Sequence, residues 1–161
     1  MPNTNSLPLR PYQQRAKEQI HTEWEQGRLR TLLVLPTGTG KTVAFGIPIL
    51  QKAAGFPAGA PKAVVLSPTR ELAQQIATEM KKILGESNIK VLAVTGGRDF
   101  ETQKYKLEGR SHVLIGTPGR LLDHIRKGNT DLGGVRYLVL DEVDEMLQQG
   151  FMDEALELIA M

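Results

Sequence analysis

TLLVLPTGTGKT, residues 31–42, runs from a short, largely apolar stretch straight into a glycine-containing loop that ends in Gly-Lys-Thr. Apolar residues on consecutive positions read as a strand covered on both faces, as in a parallel sheet. Gly38 and Gly40 let the following backbone turn sharply, so that its N–H groups converge on an anion. A helix beginning near Lys41 adds the positive end of its dipole. Lys41 suits the β- and γ-phosphates of a nucleotide, and the Thr42 hydroxyl suits Mg2+. The strict spacing G-x-x-x-x-G-K-[ST] asks for glycine where Leu35 stands. Leu35 belongs to the end of the strand and the tight curve starts after it, so the stretch still reads as a phosphate-binding loop.

Four similar runs follow: AVVLS (63–67), VLAVT (91–95), HVLIG (112–116) and YLVLD (137–141). Between them lie helix-like segments at 41–54, with a kink expected at Pro48, at 70–84, at about 99–108 and at about 119–127. A further helix is expected after Gly150. Ahead of the first run, Tyr12, Ala16, Ile20 and Trp24 recur every four residues, one face of an amphipathic helix closed by Gly27. Strand and helix alternate, which predicts an α/β fold: an open parallel β-sheet of about five strands with helices on both faces. The Pro/Gly-rich AGFPAGAP (54–61) reads as a surface loop, and residues 1–8 as a flexible tail ahead of one domain over 9–161.

Bulk composition agrees with one domain. The chain has 161 residues, 40% hydrophobic and 24% charged, in the range of globular proteins. It has no cysteine, which excludes disulfides and thiolate metal sites. His21, His112 and His124 share no ligand spacing and read as structural or surface residues. No apolar run approaches the ~18 residues of a membrane span, and the polar start is unlike a signal peptide, so a cytoplasmic setting without membrane contact is expected. The net charge of +2 conceals an asymmetry. Residues 1–90 carry 12 Lys+Arg against 6 Asp+Glu, and residues 91–161 carry 8 against 12.

In open parallel sheets, ligands sit beyond the carboxyl ends of the strands. PTGTGKT, SPTRELA, TGG, GTPGR and DEVD follow the five runs in turn, each at such an end. Asp141, directly after the apolar residues 137–140, stands where a Mg2+-binding carboxylate belongs. Glu142 beside it suits orienting and deprotonating an attacking water. A solvated acidic patch opening a helix is the alternative reading of the same stretch.

LPTGTGKT, SPTRELA, the Gly-Gly pair, GTPGR and VLDEVDEMLQQGF resemble, in order and spacing, the first RecA-like domain of superfamily 2 helicases, most of all the DEAD-box RNA helicases. The resemblance spans roughly residues 9–161 and implies a RecA-like P-loop NTPase domain. It implies that Thr37, Gly38, Thr39, Gly40, Lys41 and Thr42 hold the phosphates of ATP or ADP, with Thr42 and Asp141 on Mg2+. Lys41, Asp141 and Glu142 would then serve catalysis, and Asp144 would couple the nucleotide site to the rest of the machine. Pro68, Thr69, Arg70, Gly97, Thr117, Pro118, Gly119 and Arg120 match motifs that grip the backbone of single-stranded RNA. Such contacts carry no sequence information. Gln13 matches the glutamine that reads adenine.

The sequence departs from the family pattern in places. Val143 stands where the tetrad has alanine, a change that leaves the acids in position. The twelve residues before Gln13 leave no place for the aromatic partner of that glutamine. LRPYQ and the Leu-Pro before TGTGKT look more like other superfamily 2 members, which keeps a DNA-acting motor as the alternative. A non-catalytic docking module using the acidic segment 141–157 is the other alternative. The Ser-Ala-Thr motif and a second RecA-like domain with its arginine fingers are expected beyond Met161. Because an arginine finger is worth ~10³–10⁵ in rate, this chain alone is expected to bind nucleotide with little turnover and no unwinding.

Overall fold

The computed structural model describes residues 31–35, 41–56 and 59–161. The tail at 1–8, the helix expected at 11–27, Gln13 and the loop residues Thr37, Gly38, Thr39 and Gly40 lie outside the described residues. Five strands and six helices are described. In chain order they are β1 (Thr31–Leu35), α1 (Lys41–Ala53), β2 (Ala63–Leu66), α2 (Arg70–Leu84) and β3 (Val91–Val94). Then come α3 (Phe100–Glu108), β4 (Val113–Gly116), α4 (Pro118–Arg126), β5 (Tyr137–Asp141), α5 (Val143–Gln148) and α6 (Met152–Ala160).

The strands form one sheet in the order β1-β5-β2-β4-β3, with every pairing parallel. From β1 to β3 the chain steps across the sheet in one direction, and from β3 to β5 it steps back. Right-handed crossovers therefore put α1 and α2 on one face and α3 and α4 on the other. The packing follows that rule. Phe45, Ile49, Leu50 and Ala53 of α1 and Ala73, Ile76, Ala77 and Met80 of α2 close over Ala63, Val65 and Ile115. Successive strand residues point to opposite faces. Val64, Leu66 and Leu114 accordingly meet Leu107, Leu121, Leu122, Met146, Ala155 and Leu158 of α3 to α6. β2 and β4 are buried along their whole length, so a hydrophobic run, not an alternating one, is what their sequence requires.

Local chemistry sets the helix ends. Thr69 is extended, and its Oγ1 accepts from Leu72 N at 3.2 Å to cap α2. Glu71 in the first turn and Lys81 and Lys82 in the last complement the helix dipole. Asp99 caps α3 by accepting from Thr102 N at 2.6 Å. α1 runs on through Pro48 without a break in its assigned span. α6 is the helix expected after Gly150, which has φ +76°, whereas α5, between β5 and that glycine, is absent from the sequence reading. Among the described residues no helix is long and apolar enough to cross a membrane.

Ile76 is fully enclosed between α1 and the sheet. Ile76→Ala is expected to lower the unfolding free energy by about 2–5 kcal/mol in urea titration, the range for emptying a sealed aliphatic site.

Candidate functional site

Parallel pairing carries the carboxyl ends of all five strands to one edge of the sheet. Asp141, the last residue of β5, is in register with Leu35, the last residue of β1. α1 starts at Lys41, six residues after Leu35 in the chain. Asp141 is 3% exposed and Thr42, in the first turn of α1, is buried. Burying an ionised carboxylate is costly unless a cation or hydrogen bonds offset it. Hard oxygen donors of this kind, few in number and completed by water and phosphate, match what Mg2+ takes.

Glu142 has φ 54° and ψ 52°, the left-handed region, although it is not glycine. A side chain there costs on the order of 1–3 kcal/mol of backbone strain, a cost that clusters at working sites. Its carbonyl accepts from Met146 N at 3.0 Å, which starts α5 and fixes the turn that separates Asp141 from Glu142. Asp144 is exposed in the first turn of α5, beside Glu145, where the helix dipole favours acids.

The other motif residues form an arc on the β2, β4 and β3 side. Pro68 is buried and Thr69 is occupied as the cap of α2, so of the three only Arg70 reaches out, its side chain 62% exposed and paired to Glu71. Gly97 turns the chain after β3 with φ +71°. A Cβ at Gly97 would stand 2.5 Å from Arg70 Nη1, so the missing side chain is the space the guanidinium fills. Across the same turn, Arg120 Nη2 donates to the Arg98 carbonyl at 3.3 Å. The segment 96–98 thus lies between the two arginines. Thr117 precedes α4 without a side-chain cap bond, Pro118 opens the helix, and Gly119 has open space at its missing side chain. The start of α4 therefore presents uncapped N–H groups, a ready anion site. A cleft of about 870 Å³ runs from Arg70, Gln74 and Gly97 to Arg98 and Lys106, beside β3 and away from Asp141.

Behind the arc lies a residue pair that the sequence reading passed over. Phe100 and His124 stack with centroids 4.0 Å apart and planes at 6°. His124 is fully buried, with Nδ1 3.1 Å from Asn129 Nδ2. Burial lowers its pKa, and the neighbouring charges of Arg120 and Lys127 lower it further, against smaller opposing effects of Asp123 and Glu101. No spacing in the sequence announces this contact, because the two rings come from different helices.

Comparison with known proteins bears directly on these motifs. The model of the DEAD/DEAH box helicase family matches residues 10–161. The chain is 48% identical over 118 residues to the DEAD-box ATP-dependent RNA helicase CshA of Geobacillus kaustophilus, covering 73% of this chain and 25% of that protein. It is 47% identical over 118 residues to the ATP-dependent RNA helicase DbpA of Bacillus subtilis, covering 73% and 24%. The chain thus spans about a quarter of the length of these relatives. The crystal structure of the yeast DEAD-box splicing factor Prp28 superposes with a TM-score of 0.83 at 34% identity, over 98% of this chain and 37% of that one.

Because the folded state holds His124 below its usual pKa, the unfolded chain binds the extra proton first. Stability is therefore expected to hold above pH ~6.5 and to fall as pH drops below it. Subtracting the urea-unfolding profile of His124→Phe from that of the parent should leave this slope alone. Gly97→Ala is expected to lose about 1–2 kcal/mol from the left-handed backbone and to displace Arg70, read by denaturation and by the Arg70 side-chain NMR signal.

Proposed function

Since the chain belongs to the DEAD/DEAH box helicase family, we propose that it is the nucleotide-binding RecA-like domain of an ATP-dependent RNA helicase. The observation that supports the reading is the register of Asp141 against Leu35, the residue that precedes the Gly-Lys-Thr loop in the sequence. In this reading Thr37, Gly38, Thr39, Gly40 and Lys41 hold the phosphates of ATP or ADP. Thr42 and Asp141 hold Mg2+, which when bound would neutralise charge developing on the transferred phosphoryl group. Glu142, set apart from Asp141 by its left-handed turn, orients the attacking water and accepts its proton. Gln13 reads the adenine edge.

Arg70 and Arg120 contact RNA phosphates on either side of Gly97, with Pro68, Thr69, Thr117, Pro118 and Gly119 shaping the backbone N–H groups between them. Side chains and amides of this kind grip a strand without reading its bases. Asp144 links the two sites by facing outward from α5, where a second RecA-like domain would close over them. Hydrolysis and unwinding need that second domain, because phosphoryl transfer of this kind relies on an arginine supplied across the cleft. The domain itself runs over 9–161, with 1–8 as a tail, and works in the cytoplasm where ATP and RNA are both at hand.

Calorimetric titration with Mg·ADP is expected to give saturable binding between about 1 μM and 1 mM, ordinary for one nucleotide site. Lys41→Ala is expected to weaken it at least ~10-fold, a loss of about 1.4 kcal/mol. Unchanged affinity in that variant would overturn the site. With a second RecA-like domain supplied, preference for duplex DNA over single-stranded RNA would favour a DNA-acting motor.

A further inference from the structure

Phe100 opens α3 three residues after Gly97, on the turn that the two arginines flank. Its ring is shared by three residues of one helix and its cap. His124 stacks on it at 4.0 Å, Lys127 Nζ stands 4.0 Å from its centroid, and Arg120 Cζ stands 5.4 Å from it. Arg120, His124 and Lys127 are spaced four and then three apart, so they share one face of α4 and its C-cap. Two cations facing one ring repel each other, and the ring's negative face offsets that repulsion. His124, buried beneath, gives the ring a flat support that holds its angle. The Arg98 carbonyl takes one of the five donors of Arg120, which orients the guanidinium and leaves the others for a ligand. Lys127 is exposed, so its ammonium is poised and accessible at once.

We propose that Phe100 is a positioning residue for RNA, holding Arg120 and Lys127 side by side so that Lys127 becomes a further phosphate contact. The RNA backbone would then pass Arg70, Gly97, Arg120 and Lys127 in turn. The inference rests on the RNA reading above and extends it by one contact and one residue that acts through others. Phe100 touches no phosphate; its effect passes through the cations it aligns. An aliphatic side chain of similar size fills the same space but lacks the charged face, and this separates packing from positioning.

The test is fluorescence anisotropy of a labelled single-stranded oligouridylate with this chain, over a salt series, with thermal melting of every variant. Phe100→Leu is expected to weaken binding about two- to five-fold, the factor set by a surface cation–ring contact, with little change in melting temperature. Phe100→Tyr should restore the parent affinity. Lys127→Ala, on the exposed surface, should flatten the salt dependence of log K by about 0.7, the signature of one lost phosphate on a single strand. Arg120→Ala separates the two levels of the argument. If it leaves affinity unchanged, the RNA reading itself fails and this inference fails with it. If Arg120→Ala weakens binding while Phe100→Leu and Lys127→Ala do not, the positioning role is overturned and the RNA reading stands. Should Phe100→Leu melt early, the salt slope of Lys127→Ala decides alone.

Discussion

β5 holds the sheet together by pairing in parallel with β1 on one side and β2 on the other. Everything at the functional edge depends on that pair of ladders. Parallel register fixes not only which strands touch but which ends of them coincide. It sets Asp141 level with Leu35 and Leu140 level with Leu66, so these three strands end at nearly the same height. The buried faces of β2 and β4 then leave only the strand ends free to differ in chemistry, because their middles are committed to packing.

The two halves of that edge are built on different principles. Around Asp141 the means are burial and strain. A carboxylate held at 3% exposure is followed by a residue whose backbone would favour glycine or asparagine, yet carries a glutamate. Along the arginine arc the means are spacing and exposure. Gly97 supplies room for one guanidinium, the Arg98 carbonyl orients another, and the α4 terminus stays open between them. A glycine there fits by what it lacks, a glutamate at 142 despite what it has.

Much of this was legible in the sequence, and the reasons differ by element. AVVL and VLIG were recognisable because strands with two covered faces need unbroken apolar runs, and few other structures do. The capping roles of Thr69 and Asp99 at α2 and α3 emerged only with the structure. α5 was not legible, since six residues dense in acid carry too little periodicity to distinguish a helix from a solvated patch. The motif residues could be named as positions from the sequence, but their contacts could not. That Arg70 fills the gap at Gly97, or that Phe100 lies on His124, depends on helices brought together by the sheet. Such pairs leave no interval in the chain to read. Pro48 lies inside α1, whose Phe45, Ile49 and Leu50 belong to one core cluster.

The strand order also sets a timetable. β2, β4 and β3 are neighbours whose segments lie within residues 63–116, so three of the five strands can be assembled from chain already made. β1, synthesised first, waits: its described partner is β5, and Thr31 meets Tyr137 only after the intervening chain has emerged. Closing so long a loop carries an entropic cost that local pairings avoid, which makes it a late event in folding. When Tyr137–Asp141 finally slots between β1 and β2, it joins the two parts of the sheet and delivers Asp141 in the same step. Completion of the fold and arrival of the acid are one event, so a nascent chain has the arginine arc before it has the acidic one.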